Sequence, residues 1–223
     1  EGNYVNTAKI FYEDTETYGD EDTATVNVAC YALEVSKTAD TSFTRTYDWS
    51  IDKYGYDEGG YISALTLATG EVFTVTYDVV LDAYFIDSDW AVAGVITVHN
   101  PAPISATINS VSDYVSGDEP IPAEVDCGVT FPYALAAGGT LECTYTADLP
   151  NADGRTNSAT ATLQNVPSGT TNFSGYANVS FAEATIEEID ECVNVEDSYA
   201  GSTATGTVCY ADLPVTFTYT RDI

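Results

Sequence analysis

Few side chains in this sequence are equipped for chemistry. It holds one histidine, six lysines and arginines and five cysteines among 223 residues. No serine, histidine and acid stand in an order that suggests a triad, and neither a nucleophile elbow nor a phosphate-binding glycine loop occurs. His99 ends an apolar run, where a lone histidine is a turn residue before it is a ligand. Catalysis is therefore not expected, and neither is a metal or another cofactor.

The cysteines carry what chemistry remains. Cys127 and Cys143 flank residues 128 to 142 on runs that read as adjacent strands, and a bridge closing a loop of that length contributes roughly 3 kcal/mol. Cys30, Cys192 and Cys209 form an odd set whose pairing the sequence leaves open. Cys30 stands in step with Ala24, Val26 and Val28, which makes a bridge to Cys192 or Cys209 of the next chain a candidate. No Cys-x-x-Cys spacing indicates zinc. Disulfide use points to an exported, extracellular or cell-surface protein, and no signal-peptide pattern opens the sequence, as expected of a mature form.

Charge narrows the partners. With 35 acidic residues the formal net charge is −29, which repels nucleic acid and anionic membrane surfaces. No apolar run approaches the roughly 20 residues that span a bilayer. Glycans and divalent cations are the small partners such a surface allows. The loop Glu13 to Asp22 holds six carboxylates, but not at the spacing of a calcium loop, so a solvated hairpin tip is expected there. Asn172-Phe-Ser and Asn178-Val-Ser fit the glycosylation sequon.

The elements that position these residues read as strands. Thr, Val, Tyr and Ile recur in short runs bounded by Gly, Pro, Asn or Asp, and no window has helical spacing. Phe43, Arg45, Tyr47, Trp49 and Ile51 alternate along one run, with Trp49 a core residue. Gly70 to Leu81 and Trp90 to Asn100 make two more strands, with Asp82 to Asp89 as the loop between them. The fold class is all-β, of sandwich type.

Internal repetition gives the organisation. Asn3 to Tyr12, an acidic loop and Asp22 to Cys30 match Gly154 to Leu163, a polar loop and Ser174 to Phe181. At the other end Ile186 to Val193 parallels Ile108 to Val115, Gly206 to Cys209 parallels Ala123 to Cys127, and Phe217 to Thr220 parallels Cys143 to Thr146. One domain is thus complete, residues 31 to 182. The other is divided between a strand pair at 1 to 30 and a half-domain at 183 to 223.

Val35-Ser-Lys-Thr-Ala-Asp40, Thr74-Val-Thr-Tyr-Asp-Val79, Ile96-Thr-Val-His-Asn-Pro-Ala102 and Asn157-Ser-Ala-Thr-Ala-Thr162 resemble the DUF11-type repeat of prokaryotic cell-surface proteins. The resemblance covers most of 33 to 181 and implies two immunoglobulin-like β-sandwich domains, the second split. The small number of lysines weighs against a Lys–Asn amide cross-link of the kind known in related surface folds, for which Lys37 or Lys53 with Asn157 or Asn178 are the candidates.

A divided domain needs its missing half. Tyr4, Asn6, Ala8, Ile10, Ala24, Val26 and Val28 are the expected donor face; Ile186, Ile189, Val193, Val208, Val215, Phe217 and Tyr219 the acceptor. Burying about six such side chains gives on the order of 10 kcal/mol gross. Supplied by a neighbour, the donor pair produces a head-to-tail, non-closing contact between copies of the chain. The expectation is a structural subunit of an extracellular, pilus-like filament, with a monomeric surface adhesin or stalk module closed in cis as the alternative.

Overall fold

The computed structural model describes residues 2–13, 18–197 and 206–223. Its strands are β1 (Gly2–Phe11), β2 (Tyr18–Val28), β3 (Glu34–Lys37), β4 (Asp40–Asp57), β5 (Gly60–Tyr61), β6 (Thr74–His99), β7 (Ala106–Val115), β8 (Ile121–Pro122), β9 (Glu124–Asp126), β10 (Tyr133–Leu135), β11 (Thr140–Asp148), β12 (Arg155–Gln164), β13 (Thr170–Val179), β14 (Thr185–Ile189), β15 (Cys192–Val195), β16 (Gly206–Cys209) and β17 (Val215–Asp222). Tyr210–Asp212 forms a single 3-10 turn. The all-β sandwich expected from the alternation is what the chain adopts.

Two long strands set the architecture. β4 and β6 pair antiparallel over nearly the whole of β4, and β6 runs 26 residues without interruption. The loop expected at Asp82 to Asp89 is therefore strand, because its residues keep pairing with Thr44 to Ser50. Sequence pattern suggested a break because the inward parity changes there. Val75, Val79 and Leu81 are buried at odd positions, Val92, Ile96 and Val98 at even ones. Asp89 has a positive φ of 54°, and beside it the register with β4 shifts between Ser42 and Thr44. An extra residue in β6 makes a bulge that keeps both apolar sets on one face of one sheet.

That face carries two cores. In the first, Val92, Ile96 and Val98 pack with Leu141 and Tyr145 of β11 against Ile108, Val115, Ala159 and Ala161 of a second sheet. The second sheet has the order β10-β7-β12-β13, with β8 on β7. In the second core Val79 and Leu81 pack with Val195 and Val208, and Trp49, Val193, Leu213, Val215, Phe217 and Tyr219 close round them. Its covering layer among the described residues is the β15-β16 pair alone.

The expected boundaries at 31 to 182 and 183 to 223 are corrected by this pairing. The C-terminal strands do not lack sheet partners: β17 pairs antiparallel with Thr74–Leu81 of β6, and β14 pairs parallel with Ser42–Thr46 of β4. Sequence comparison could not see that the first half of β6, with the later part of β4, serves one core and the second half of β6 the other. The single strand expected from Ile186 to Val193 also divides. Asp190, at φ 59°, turns the chain out of β14 before β15 begins.

Both disulfides join neighbouring strands. Cys127 pairs with Cys143 as expected. Cys192 pairs with Cys209, its partner in the β15-β16 register. A bridge from Cys30 to either is thereby excluded, and Cys30 is exposed and free.

Candidate functional site

The β1-β2 hairpin is amphipathic, and its apolar face covers no core among the described residues. Its register sets Tyr4 opposite Val26 and Asn6 opposite Ala24, with Gly2 opposite Val28 and Ala8 opposite Asp22. Directly paired residues share a face, so all seven expected donor residues lie on one side. The other side is mostly polar, pairing Asn3 with Asn27, Thr7 with Thr23 and Lys9 with Glu21; the last is an ion pair at 3.0 Å between half-exposed side chains. On the apolar side Tyr4 is 68%, Ile10 63% and Val26 61% exposed. Every described residue of both strands is exposed.

The hairpin has a structural twin inside the first core. β12 and β13 pair over ten residues each, with Asn157 opposite Ala177 and Arg155 opposite Val179. Asn6 and Ala24 occupy the places of Asn157 and Ala177, and Val26 that of Val179. There the twin is packed: Asn157, Ala159 and Ala161 are fully buried and Val179 nearly so. One position differs. Gly175 faces the β3 backbone so closely that a Cβ would lie 2.5 Å from the Val35 carbonyl oxygen, whereas the hairpin carries Asp22 there, towards its tip.

β6 relates the two cores by one constant offset. Ile96 lies between Lys37 of β3 and Cys143 of β11, and Val79 lies between Lys53 of β4 and Phe217 of β17. Two residues towards the start of β6, Gly94 faces Tyr145 and Tyr77 faces Tyr219. Val98 and Leu81 likewise face Val35 and Ile51. Val35 is packed beneath the second sheet of the first core. Ile51, on the inward face beside buried Leu81, is 59% exposed. Four residues further along β4, a cavity of about 260 Å³ opens among Gly55, Ile62, Leu65, Val75, Tyr77 and Ile223. What covers Val35 has no counterpart over Ile51 among the described residues.

Each core also holds a lysine, an aspartate and a tyrosine at equivalent stations. In the first, Lys37 Nζ donates to Asp113 Oδ2 at 2.5 Å, both side chains fully withdrawn from solvent. Its ammonium lies 3.8 Å from the centre of the Tyr145 ring. Burial pushes the Lys37 amine below its ordinary range, with the Asp113 hydrogen bond acting the other way. Tyr145 donates to the Thr38 carbonyl at 2.6 Å. Burial and then the Asp113 charge push its hydroxyl up to about 12, the neighbouring Asn157 amide acting against them. That amide makes no hydrogen bond of good geometry: Asn157 Oδ1 and Nδ2, and Asp113 Oδ1, are buried without partners.

In the second core Lys53 Nζ donates to Asp197 Oδ2 at 2.6 Å, and Tyr219 donates to the same oxygen at 2.9 Å. The Asp197 side chain is 6% exposed. Burial works to lower the Lys53 amine, but hydrogen bonding with Asp197 and Tyr219 raises it overall. No asparagine joins this cluster among the described residues; the residue matching Asn157 is Asn6, on the free hairpin.

Of the expected acceptor residues, Val193, Val208, Val215, Phe217 and Tyr219 line the second core. Ile186 and Ile189 do not. They sit on β14, 42% and 40% exposed, because that strand flanks β4 instead of joining the covering layer. Sequence comparison set Glu191 against Asp113, whereas by position beside a buried lysine the equivalent is Asp197. Asp113, Tyr145, Ile51 and Trp49 are the residues that sequence reasoning did not assign to a site. Trp49, expected in the core, packs at its edge and donates to the Asp190 carbonyl at 2.8 Å. The recurring Tyr-Thr of β11 and β17 was the available signal for the tyrosines.

No helix among the described residues is long and apolar enough to cross a membrane, and no acidic, histidine or cysteine cluster there could hold a metal ion. A scan against family models finds no match for this chain, and a search of curated proteins finds none.

Proposed function

We propose that the protein is the structural subunit of an extracellular filament, in which the β1-β2 hairpin of one copy completes the second core of the next. The observation that carries this reading is the match between a hairpin exposing an apolar face and a core that lacks, among the described residues, the layer that the hairpin's twin provides elsewhere in the same chain. By that equivalence Asn6 lies over Val79 and Lys53, Val26 and Val28 enter the cavity lined by Val75 and Tyr77, and Ile51 is covered.

Length favours trans over cis. Glu34 pairs with His99 and Lys53 with Val79, twenty residues apart on the same strand, or about 65 Å at roughly 3.3 Å per residue. With the hairpin intact, the ten residues from Ala24 to Glu34 reach at most about 36 Å. That reach is well short of what filling the chain's own second core would need. A neighbour can reach it, since its hairpin leaves the first core at the end remote from the second. The contact is head-to-tail and does not close on itself, which is the geometry of a linear polymer.

Two disulfides support an oxidising location, and the charge of −29 supports solubility outside the cell. Electron microscopy and light scattering on the full chain test the reading. Fibres are expected, and a chain lacking residues 1–30 should remain unassembled. A full chain that persists as a monodisperse particle of 23.8 kDa, or a shortened one that still forms fibres, overturns it.

A further inference from the structure

The Lys37 site is anomalous as a structural ion pair. A lysine and a carboxylate are fully withdrawn from solvent, yet one carboxylate oxygen and a whole carboxamide beside them have no partner. Such orphaned groups are costly and rare in a well-packed interior. The three side chains come from β3, β7 and β12. Asp113 is opposite Ala159, which sets Asn157 on the diagonal of the same face, within side-chain reach. Tyr145 spans the group, under the Lys37 ammonium and next to the Asn157 amide. A primary amine, a carboxamide and a carboxylate in a dry pocket are the components of an amide exchange.

We propose that Lys37 and Asn157 condense into an amide bond, with Asp113 as the proton relay, so that the first core is covalently closed. Within the pair the Lys37 ammonium gives a proton to Asp113, since a low-dielectric site favours the neutral partners. The Lys37 Nζ lone pair attacks Asn157 Cγ, forming a C–N bond, while the Asp113 O–H donates to the amide oxygen. A proton then passes from Nζ through Asp113 to Nδ2, the Cγ–Nδ2 bond breaks, and ammonia leaves. Ammonium, carboxylate and carboxamide become a secondary amide, a carboxylic acid and ammonia, with no change in charge and no oxidant. The product answers the orphaned atoms: the new N–H and C=O face the Asp113 carboxyl, and no charge stays buried.

Intact mass of the full chain after reduction reads this directly. The expected mass is below the sequence mass by one ammonia, and proteolysis should release a branched peptide holding Lys37 and Asn157. Lys37→Arg, which keeps the charge, and Asp113→Ala, which keeps both reacting groups, should return to their full sequence masses. A wild-type chain at full mass, with the two peptides recovered separately, overturns the bond. Linkage in Asp113→Ala overturns the relay.

The second cluster independently points to the same bond between subunits, an inference that rests on the assembly proposed above. Lys53, Asp197 and Tyr219 repeat the first constellation at the same stations along β6, and the matching amide is on the hairpin as Asn6. Lys53 Nζ of one copy then attacks Asn6 Cγ of the next, with Asp197 relaying the proton and ammonia leaving as before. Fibres boiled in detergent with reductant should persist as a covalent ladder, whereas Lys53→Ala fibres should dissolve to monomer. Wild-type fibres that dissolve completely remove the bond and leave the assembly standing. Absence of fibres removes both.

Discussion

Substituting one face of the hairpin and not the other discriminates most sharply. Val26 lies opposite Tyr4 on the apolar side, while Thr25, next to it, lies opposite Val5 on the polar side. Val26 is 61% exposed, so burying the remainder under a neighbouring core contributes about 1–2 kcal/mol at the usual 1.5–3 kcal/mol for a whole side chain. Val26→Asp forfeits that and places a carboxylate without a partner in an apolar cavity, which costs several kcal/mol more. A loss of about 4 kcal/mol corresponds to a roughly thousandfold rise in the concentration needed for assembly. Thr25→Asp adds the same charge to the same strand and should shift it less than tenfold. Pelleting across a concentration series, with the fold checked by near-ultraviolet circular dichroism, gives both numbers. Equal effects of the two substitutions, or none from Val26→Asp, would refute the assignment of faces.

The acceptor side answers to the same logic: Ile51→Asp, at a position already 59% exposed, should leave the monomer's melting temperature nearly unchanged while blocking polymerisation. Only Cys30 should react with a maleimide in unreduced protein, and replacing Cys192 and Cys209 by serine should cost about 3 kcal/mol in denaturant unfolding. Gly94→Ala brings a Cβ within 2.5 Å of the Thr38 carbonyl oxygen, an overpacking expected to destabilise by about 1–3 kcal/mol in the same assay. The Arg45 guanidinium, 2.7 Å from Asp87, holds that carboxyl below its usual range. Because the unfolded chain binds that proton more readily, the stability it adds is complete above about pH 4 and is lost as the pH falls through the folded value. Melting curves of Asp87→Asn should show a weaker acid dependence than wild type.

Some of this protein is legible from residue order alone. Alternation identifies strands because a side chain's face depends only on its neighbours along the chain. For that reason Tyr4, Asn6, Ala8, Ile10, Ala24, Val26 and Val28 could be assigned to one face, and the likeness of Asn6 to Asn157 could be read without coordinates. The Cys127–Cys143 pair was equally accessible, since the two cysteines flank a short segment between runs that read as adjacent strands.

Pairing between distant strands is another matter, because it depends on which edges meet, and residue order does not record that. The bulge at Asp89 hides a continuous β6 behind a change of parity, so two cores on one sheet read as separate strands with a loop between them. The Cys192–Cys209 bridge depends on β15 and β16 being neighbours, and Ile186 and Ile189 left the acceptor because β14 found β4. Above all, Lys37, Asp113 and Asn157 come from three strands spread over more than half the chain. Each is an ordinary polar residue in its own strand; only closing the two sheets over one another removes the water and sets amine, acid and amide together.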